Sequence, residues 1–141
     1  MKGKNCQPRS IAHQLFGSDD VCTPSYAAHV GEEDLATPPH AYVRREIVKE
    51  LIEHANIFRD FAGDGLNEII GNFLVDGAWG CNFTLQAAAA LFSVRIIVVS
   101  HFDENLFDEL LPLRGQIANT ICVAYSGNCG CEHYDSTRLS R

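Results

Sequence analysis

The sequence predicts an α+β fold, because segments with helical patterning come first along the chain and β-branched segments come last. A cysteine stands at the start of the first predicted helix, and a histidine stands at the start of the last predicted strand. The chain has 141 residues, which is enough for one domain to bury its own core. We therefore expect a single domain over residues 1–141.

The first half of the chain is predicted to contain two helices joined by an irregular connection. Residues 9–16 have apolar side chains at helical spacing, and Gly17 is suited to end that helix. Residues 18–39 are rich in proline and acidic residues, so we expect an irregular loop there, the least ordered part of the chain. Residues 40–61 have an amphipathic pattern that predicts one long helix.

The second half is predicted to contain two more helices and three strands. The helices cover residues 64–75 and the alanine-rich residues 82–92. The strands cover residues 94–100, 120–125 and 133–136. The first strand is apolar on both faces, which is typical of a central strand, and a short turn makes the last two strands hairpin neighbours. Residues 101–119 are interpreted as a polar excursion between strands.

Charge and composition disfavour several classes of protein. The net charge of −7 disfavours nucleic acid and anionic membranes as partners, because phosphates bind Lys and Arg. No apolar run reaches the roughly 18 residues of a membrane span, and no apolar stretch follows the basic N-terminus as in a signal peptide. We therefore expect an intracellular protein, cytoplasmic or nuclear, whose six cysteines are free thiols.

Cys6 is a candidate nucleophile. A thiol at a helix N-terminus lies at the positive end of the helix dipole, which favours the nucleophilic thiolate. Backbone N–H groups that are free at the same place can stabilise an oxyanion. The alternative interpretation of Cys6 is a small core cysteine.

His133 is a candidate general base. It follows a Gly-rich turn, and a catalytic imidazole needs a partner that fixes its tautomer and stabilises its charged form. Residues two apart in an extended segment share a face, so Asp135 is a candidate for that partner. The alternative interpretation of His133 is an exposed loop histidine.

Five segments, taken in order, resemble the motifs of one family. Residues 5–17 (NCQPRSIAHQLFG) resemble a nucleophile motif that runs Asp-Gly-Asn-Cys, two bulky residues, then Arg-Ala/Ser-Ile. Residues 40–52 (HAYVRREIVKELI) resemble a His-x-x-Leu/Val-Arg helix, and residues 77–85 (GAWGCNFTL) resemble a Gly-x-Trp-Gly-Gly-x-x-Glu-Leu motif. Residues 94–100 resemble the strand that follows, and residues 125–135 resemble a closing strand, loop and His-Tyr-Asp. The combination resembles the ovarian-tumour (OTU) family of cysteine deubiquitinases.

The resemblance implies a papain-like fold of the OTU type, with helices packed against a small β-sheet. It implies a thiol protease that cleaves the isopeptide bond at the C-terminal glycine of ubiquitin or a ubiquitin-like protein, through a thioester. Such a hydrolase acts in the ubiquitin conjugation pathway and needs no metal or organic cofactor. We expect it to act as a monomer.

The resemblance also assigns site residues. Cys6 is the implied nucleophile and His133 its base. The oxyanion hole is implied to consist of the backbone N–H groups of Lys4, Asn5 and Cys6. The substrate channel is implied to be flanked by Trp79, Gly80 and Glu132.

The chain departs from the family pattern at the position of the triad acid. The family usually has an Asp three residues before the nucleophile, and this chain has Gly3 there. Some members use an acid or amide two residues after the histidine, so the resemblance assigns the acid role to Asp135. Three further departures are Pro8 in place of a bulky residue, Cys81 in place of Gly and Thr84 in place of Glu. Pro8 is compatible with the first turn of a helix, Cys81 is suited to cap a helix or to fill space, and Thr84 has no clear consequence.

Two other classes of function stay open in the sequence. The first is a catalytically weak or inactive OTU-like module that binds ubiquitin, which the Gly3 departure favours. The second is a structural metal site at Cys129, Cys131 and His133, although zinc sites usually contain Cys-x₂-Cys pairs. Stoichiometric zinc in the purified protein would remove the protease interpretation.

Overall fold

The computed structural model describes residues 6–62, 65–73, 82–100, 107–113, 115–126 and 133–136. The helices are α1 (Cys6–Phe16), α2 (Pro24–His29), α3 (Pro39–Glu53), α4 (Ala55–Ala62), α5 (Leu66–Phe73) and α6 (Asn82–Phe92), with a 3₁₀ turn at Glu32–Asp34. The strands are β1 (Val94–Ser100), β2 (Phe107–Leu110), β3 (Asn119–Ser126) and β4 (His133–Ser136). The helices precede the strands along the chain, as the sequence predicts.

The strands form one mixed sheet in the order β2-β1-β3-β4. β1 pairs in parallel with β3, while β2 and β4 pair antiparallel to their neighbours at the two edges. The interior position of β1 confirms the prediction of a central strand, and Val94 and Ile96 are buried. β3 and β4 are antiparallel neighbours, as predicted from the short connection between them.

Helix α3 organises the core on the helical side of the molecule. Its apolar residues Val43, Ile47 and Leu51 recur every four positions and are all fully buried. α3 packs against α1, α5 and α6, and α6 in turn packs against β1. Helices α3 and α6 therefore link α1 to the sheet that contains β4.

The single helix predicted over residues 40–61 is wrong, because the chain breaks between α3 and α4 at His54. His54 leaves the helical conformation with φ −118° and ψ 35°, while its N–H still bonds to the carbonyl of Glu50. No Gly or Pro marks this position. Phe58 of α4 is nevertheless buried in the core, so the apolar spacing continues across the break.

The irregular loop predicted at residues 18–39 contains regular structure. The Thr23 hydroxyl caps α2 by accepting a hydrogen bond from the backbone N–H of Tyr26, and Pro24 occupies the first helical turn. Farther along, the carboxylate of Asp34 accepts bonds of 2.7 and 2.8 Å from Arg45 of α3. These side-chain contacts organise a segment whose composition alone indicated disorder.

The strand β2 was not predicted within the polar excursion over residues 101–119. It contains Asp108 and Glu109, and such polar residues are tolerated at an edge position where one side of the strand is unpaired. Arg95 of β1 reaches Glu109 across the strand pair at 3.0 Å. With only four residues, β2 lacks the alternation of apolar and polar residues by which a strand is predicted from sequence.

Candidate active site

Helix α1 begins at Cys6, the predicted nucleophile. Pro8 suits the first helical turn, because its fixed φ matches the helix and no intrahelical bond needs its absent N–H. The helix ends at Gly17, which adopts φ +80° and donates its N–H to the carbonyl of His13 at 2.9 Å. The prediction of a helix that ends at Gly17 is confirmed, and the helix starts three residues earlier than predicted.

The C-terminal half of α1 is bonded to the sheet by Gln14. Its side-chain oxygen accepts a hydrogen bond of 3.0 Å from the backbone N–H of Cys122 in β3. The pairing of β3 with β4 extends from Ser126 back to Val123, and Cys122 is the residue immediately before Val123. Gln14 therefore satisfies a strand donor where the β4 ladder stops.

The connection after α1 is held by Arg9. Its Nη1 lies 2.8 Å from Asp19 and 2.7 Å from Asp20. The hydrogen bond to Asp19 raises the pKa of the Arg9 guanidinium above its ordinary value. The backbone N–H of His40, at the start of α3, bonds to the carbonyl of Asp19. Both ends of this connection are thus fixed relative to α1.

The N-terminal turn of α1 is bonded to the N-terminal turn of α6. Gln7, directly after Cys6, is fully buried, and its Oε1 accepts a hydrogen bond of 2.5 Å from the hydroxyl of Thr84. Thr84 is also buried and is the third residue of α6. Thr84, which stands where the family motif has Glu, therefore has Gln7 as a hydrogen-bond partner.

Strand β4 carries the other two predicted catalytic residues. His133 is its first residue and is paired with Ser126 of β3, while Asp135 is paired with Ala124. Helix α1 packs against β4 as well as against β3. The elements that begin at Cys6 and at His133 are therefore neighbours in the fold.

Helix α5 ends at Phe73, six positions before Trp79 in the sequence. Arg44 of α3 is buried, and its Nη1 donates to the backbone carbonyl of Phe73, the last residue of α5, at 3.1 Å. Its guanidinium carbon lies 4.4 Å from the centre of the Phe73 ring. The end of α5 is thereby fastened to the central helix.

Several predicted site residues lie outside the described residues: Lys4, Asn5, Trp79, Gly80 and Glu132. For Cys6, His133 and Asp135 the structure describes the backbone. The assignment of an oxyanion hole, of channel residues and of side-chain roles therefore stays a prediction.

Two of the sequence predictions concern a metal site and free thiols. Within residues 6–62, 65–73, 82–100, 107–113, 115–126 and 133–136, no three His, Cys, Asp or Glu side chains form a group suited to a metal ion. Cys129 and Cys131 lie outside these ranges. Cys22 and Cys122, among the described cysteines, are free thiols. In the same part of the chain, no helix is both long and apolar enough to cross a membrane.

A sequence model for the OTU-like cysteine proteases matches residues 3–134 of the chain. This chain belongs to that family. The matched span contains Cys6, His133 and the motif around Trp79, so the resemblance seen in the sequence is confirmed at the level of the family.

Among curated proteins, this OTU-like chain is similar to OVARIAN TUMOR DOMAIN-containing deubiquitinating enzyme 9 of Arabidopsis thaliana. The two are 29% identical over 132 residues, which cover 94% of this chain and 32% of the relative. Deubiquitinating enzyme 10 of the same plant is 27% identical over 137 residues, covering 97% of this chain and 33% of the relative. The OTU-like chain thus spans about a third of the length of these relatives.

Among solved structures, the chain is similar to the OTU domain of OTUD1, with a TM-score of 0.63 and 17% identity over 96% of this chain and 80% of the other. The Hazara virus OTU, solved bound to ubiquitin, gives a TM-score of 0.61 and 19% identity, covering 98% of this chain and 77% of the other. At these identities the similarity shows the fold. The predicted α+β fold of the OTU type is confirmed.

The supporting roles of Gln7 and Gln14 were not predicted from the sequence. The two residues lie seven positions apart, with the buried Ile11 between them, so all three fall on one face of α1. Polar residues in line with a buried apolar residue were the available signal. The sequence does not show which partners, at Thr84 and Cys122, they would meet.

Proposed function

We propose that this chain is a ubiquitin-specific cysteine protease: an isopeptidase that cleaves ubiquitin or a ubiquitin-like modifier through a thioester. Cys6 is the nucleophile, His133 the general base and Asp135 the acid that orients it. The site acts without a metal or cofactor. Membership of the OTU-like family supports the reaction class, and the packing of α1 on β4 supports the pairing of Cys6 with His133.

The directions of α1 and β4 support a Cys6–His133 pair. Cys6 lies eight positions before Gln14, a distance of about 12 Å along a helix. Cys122 lies four positions before Ser126, the partner of His133, a distance of about 13 Å along a strand. Gln14 bonds to Cys122, and α1 also contacts β4. We infer that α1 runs from the His133 end of the sheet toward Cys122, so the two similar spans bring Cys6 near His133.

The reaction begins when His133 accepts the thiol proton of Cys6 and the sulfur attacks the carbonyl carbon of the ubiquitin C-terminal glycine. The C–N bond to the substrate lysine breaks, and His133 donates its proton to the leaving amine. A thioester between Cys6 and ubiquitin results. Water, deprotonated by His133, then hydrolyses the thioester and regenerates the thiol.

The tetrahedral intermediates carry a negative oxygen that requires hydrogen-bond donors. We assign this role to the backbone N–H groups of Lys4, Asn5 and Cys6, because N–H groups ahead of the first helical turn have no intrahelical acceptor. Trp79, Gly80 and Glu132 flank the channel for the ubiquitin tail. The resemblance of residues 77–85 to the family motif supports the assignment of Trp79 and Gly80.

A ubiquitin derivative with an electrophile at its C-terminus tests the proposal. We expect a covalent adduct on the wild-type chain, because the thiolate at the start of α1 attacks the electrophile as it would the isopeptide carbonyl. Mass spectrometry of the digested adduct should locate the modification at Cys6. Cys6→Ala should give no adduct.

The exposed free thiol of Cys22 provides the matched control. Cys22→Ser should form the adduct at the wild-type rate, since exposure of a thiol without an activating base is insufficient. A wild-type chain that binds the probe without reacting would instead identify an inactive ubiquitin-binding module. An adduct on Cys22 in the Cys6→Ala variant would overturn the assignment of the nucleophile.

The acid role of Asp135 predicts a graded loss of activity. Asp135→Ala should lower the hydrolysis rate of a fluorogenic ubiquitin substrate about 10- to 1000-fold, because His133 loses the group that fixes its tautomer and stabilises its charged form. Asp135→Asn should retain more activity than Asp135→Ala if orientation is the main contribution. The same rate in all three proteins would remove Asp135 from the site.

A further inference from the structure

The bond between Gln7 and Thr84 connects two residues that are 77 positions apart in the sequence. Gln7 has 0% and Thr84 1% of its surface exposed, so the bond is shielded from water. Helices α1 and α6 both pack against α3. The Gln7–Thr84 bond therefore joins the N-terminal ends of two helices that share a support.

Gln7 lies in the first turn of α1. The first turn of a helix lacks part of its internal hydrogen bonding and frays more readily than the middle. Gln7 is the second residue of α1 and is covalently linked to Cys6. A buried side-chain bond at Gln7 restrains the backbone that carries the Cys6 N–H and thiol.

The other end of the bond lies in the first turn of α6. Thr84 follows Asn82 and Phe83 at the start of α6, and the motif at residues 77–85 continues back from there to Trp79. A bond between Gln7 and Thr84 thus fixes the start of the nucleophile helix relative to the start of the helix that follows this motif.

We propose that Gln7 and Thr84 are positioning residues, whose buried bond sets the place of Cys6 relative to the first turn of α6. This inference rests on the proposed function, with Cys6 as nucleophile. A displacement of reacting groups by about 1 Å can cost about 100-fold in rate, so loss of this bond is read chiefly in kcat. Substrate binding by surfaces away from Cys6 is left largely intact.

The test compares Thr84→Val, which keeps the shape but loses the hydroxyl, with Thr84→Ser, which keeps the hydroxyl. Using a fluorogenic amide of the ubiquitin C-terminus, we expect Thr84→Val to lower kcat about 10- to 100-fold while KM changes less than about threefold. Thr84→Ser should restore kcat to within about threefold of wild type. Both variants should give the circular dichroism spectrum of a folded chain at 25 °C.

A second variant, at Gln7, shows whether the effect depends on one particular substitution. Gln7→Met preserves approximate volume and removes the acceptor, and it should lower kcat as Thr84→Val does. In the double variant, the loss should be close to that of either single variant, because one bond is removed only once. Additive losses in kcat would overturn the proposal that the two residues act through their mutual bond.

Tyr26→Phe is the matched control for a merely structural role, since it removes a buried hydroxyl far from α6 in the sequence. It should lower the melting temperature by an amount similar to Thr84→Val, roughly 3–8 °C, while kcat stays within about twofold of wild type. Equal kcat for wild type and Thr84→Val would overturn the positioning proposal alone. A folded wild-type chain that fails to turn over the substrate would instead overturn the proposed function, and the positioning role with it.

Discussion

Replacement of His133 by Ala is expected to lower kcat/KM for a ubiquitin substrate on the order of 10⁴-fold. In the proposed mechanism the Cys6 thiol has no base once the imidazole is removed, and an unassisted thiol is mostly protonated at neutral pH. The leaving lysine amine also loses its proton donor. Both effects act on the same chemical step, so the loss should appear mainly in kcat.

The measurement is the initial rate of release from a fluorogenic ubiquitin substrate, with folding checked by circular dichroism. His13→Ala is the matched control, because His13 is an exposed histidine on α1 itself. Its rate should stay within about twofold of wild type. More than a tenth of wild-type activity in His133→Ala would show that another group acts as the base.

The second large effect is expected for stability, from Tyr26→Ala. Tyr26 is fully buried, and its ring centre lies 5.1 Å from that of Phe16 and 5.6 Å from that of Tyr42. Its hydroxyl donates to the carbonyl of Thr37 at 2.8 Å. Loss of the whole side chain should lower the free energy of unfolding by about 3–5 kcal/mol. Loss of the hydroxyl alone, in Tyr26→Phe, should cost about 1–2 kcal/mol.

Urea unfolding measures both changes, and the slope with denaturant should stay constant if the native fold is kept. Val21→Ala, at an exposed position in the same connection, should change stability by less than about 0.5 kcal/mol. An equally small effect of Tyr26→Ala would contradict the packing of this connection on the core.

The same residue carries a dependence on pH. Burial raises the pKa of Tyr26 from 10.0 to about 12, which means that the folded chain favours the neutral phenol. A group whose pKa is raised by folding contributes stability below its unfolded pKa and loses it as pH rises through the folded value. Part of the wild-type stability should therefore disappear between about pH 10 and 12, and Tyr26→Phe should reduce that part of the loss.

The sequence was most informative where local patterning and tertiary structure agree. Helix α6 and strand β1 have the bounds that were predicted, because alanine-rich and β-branched segments have strong preferences of their own. Periodicity failed at His54, because Phe58 keeps its apolar spacing from Leu51 although the helix is interrupted between them. Patterning reports which residues are buried, and a one-residue break leaves that pattern intact.

For the candidate site, motifs were more informative than physical periodicity. The sequence predicted a cysteine just ahead of the first helix and a histidine at the start of the last strand; in the structure Cys6 is the first residue of α1 and His133 the first residue of β4. The partners of Gln7 and Gln14 could not be predicted, because each depends on where a distant element is placed in the fold. Such contacts are properties of the packed molecule and leave little trace in a single sequence.

The packing of α1 on β4 also has a consequence for how activity arises during biosynthesis. The proposed nucleophile Cys6 and the proposed base His133 lie 127 positions apart, so synthesis adds the base only after the core between them has been made. Closing so long a loop is entropically costly and slow, so it depends on the intervening core being formed. A nascent chain would therefore carry an uncoupled thiol until β4 is added to the sheet, so the proposed activity would begin only once β4 has paired with β3.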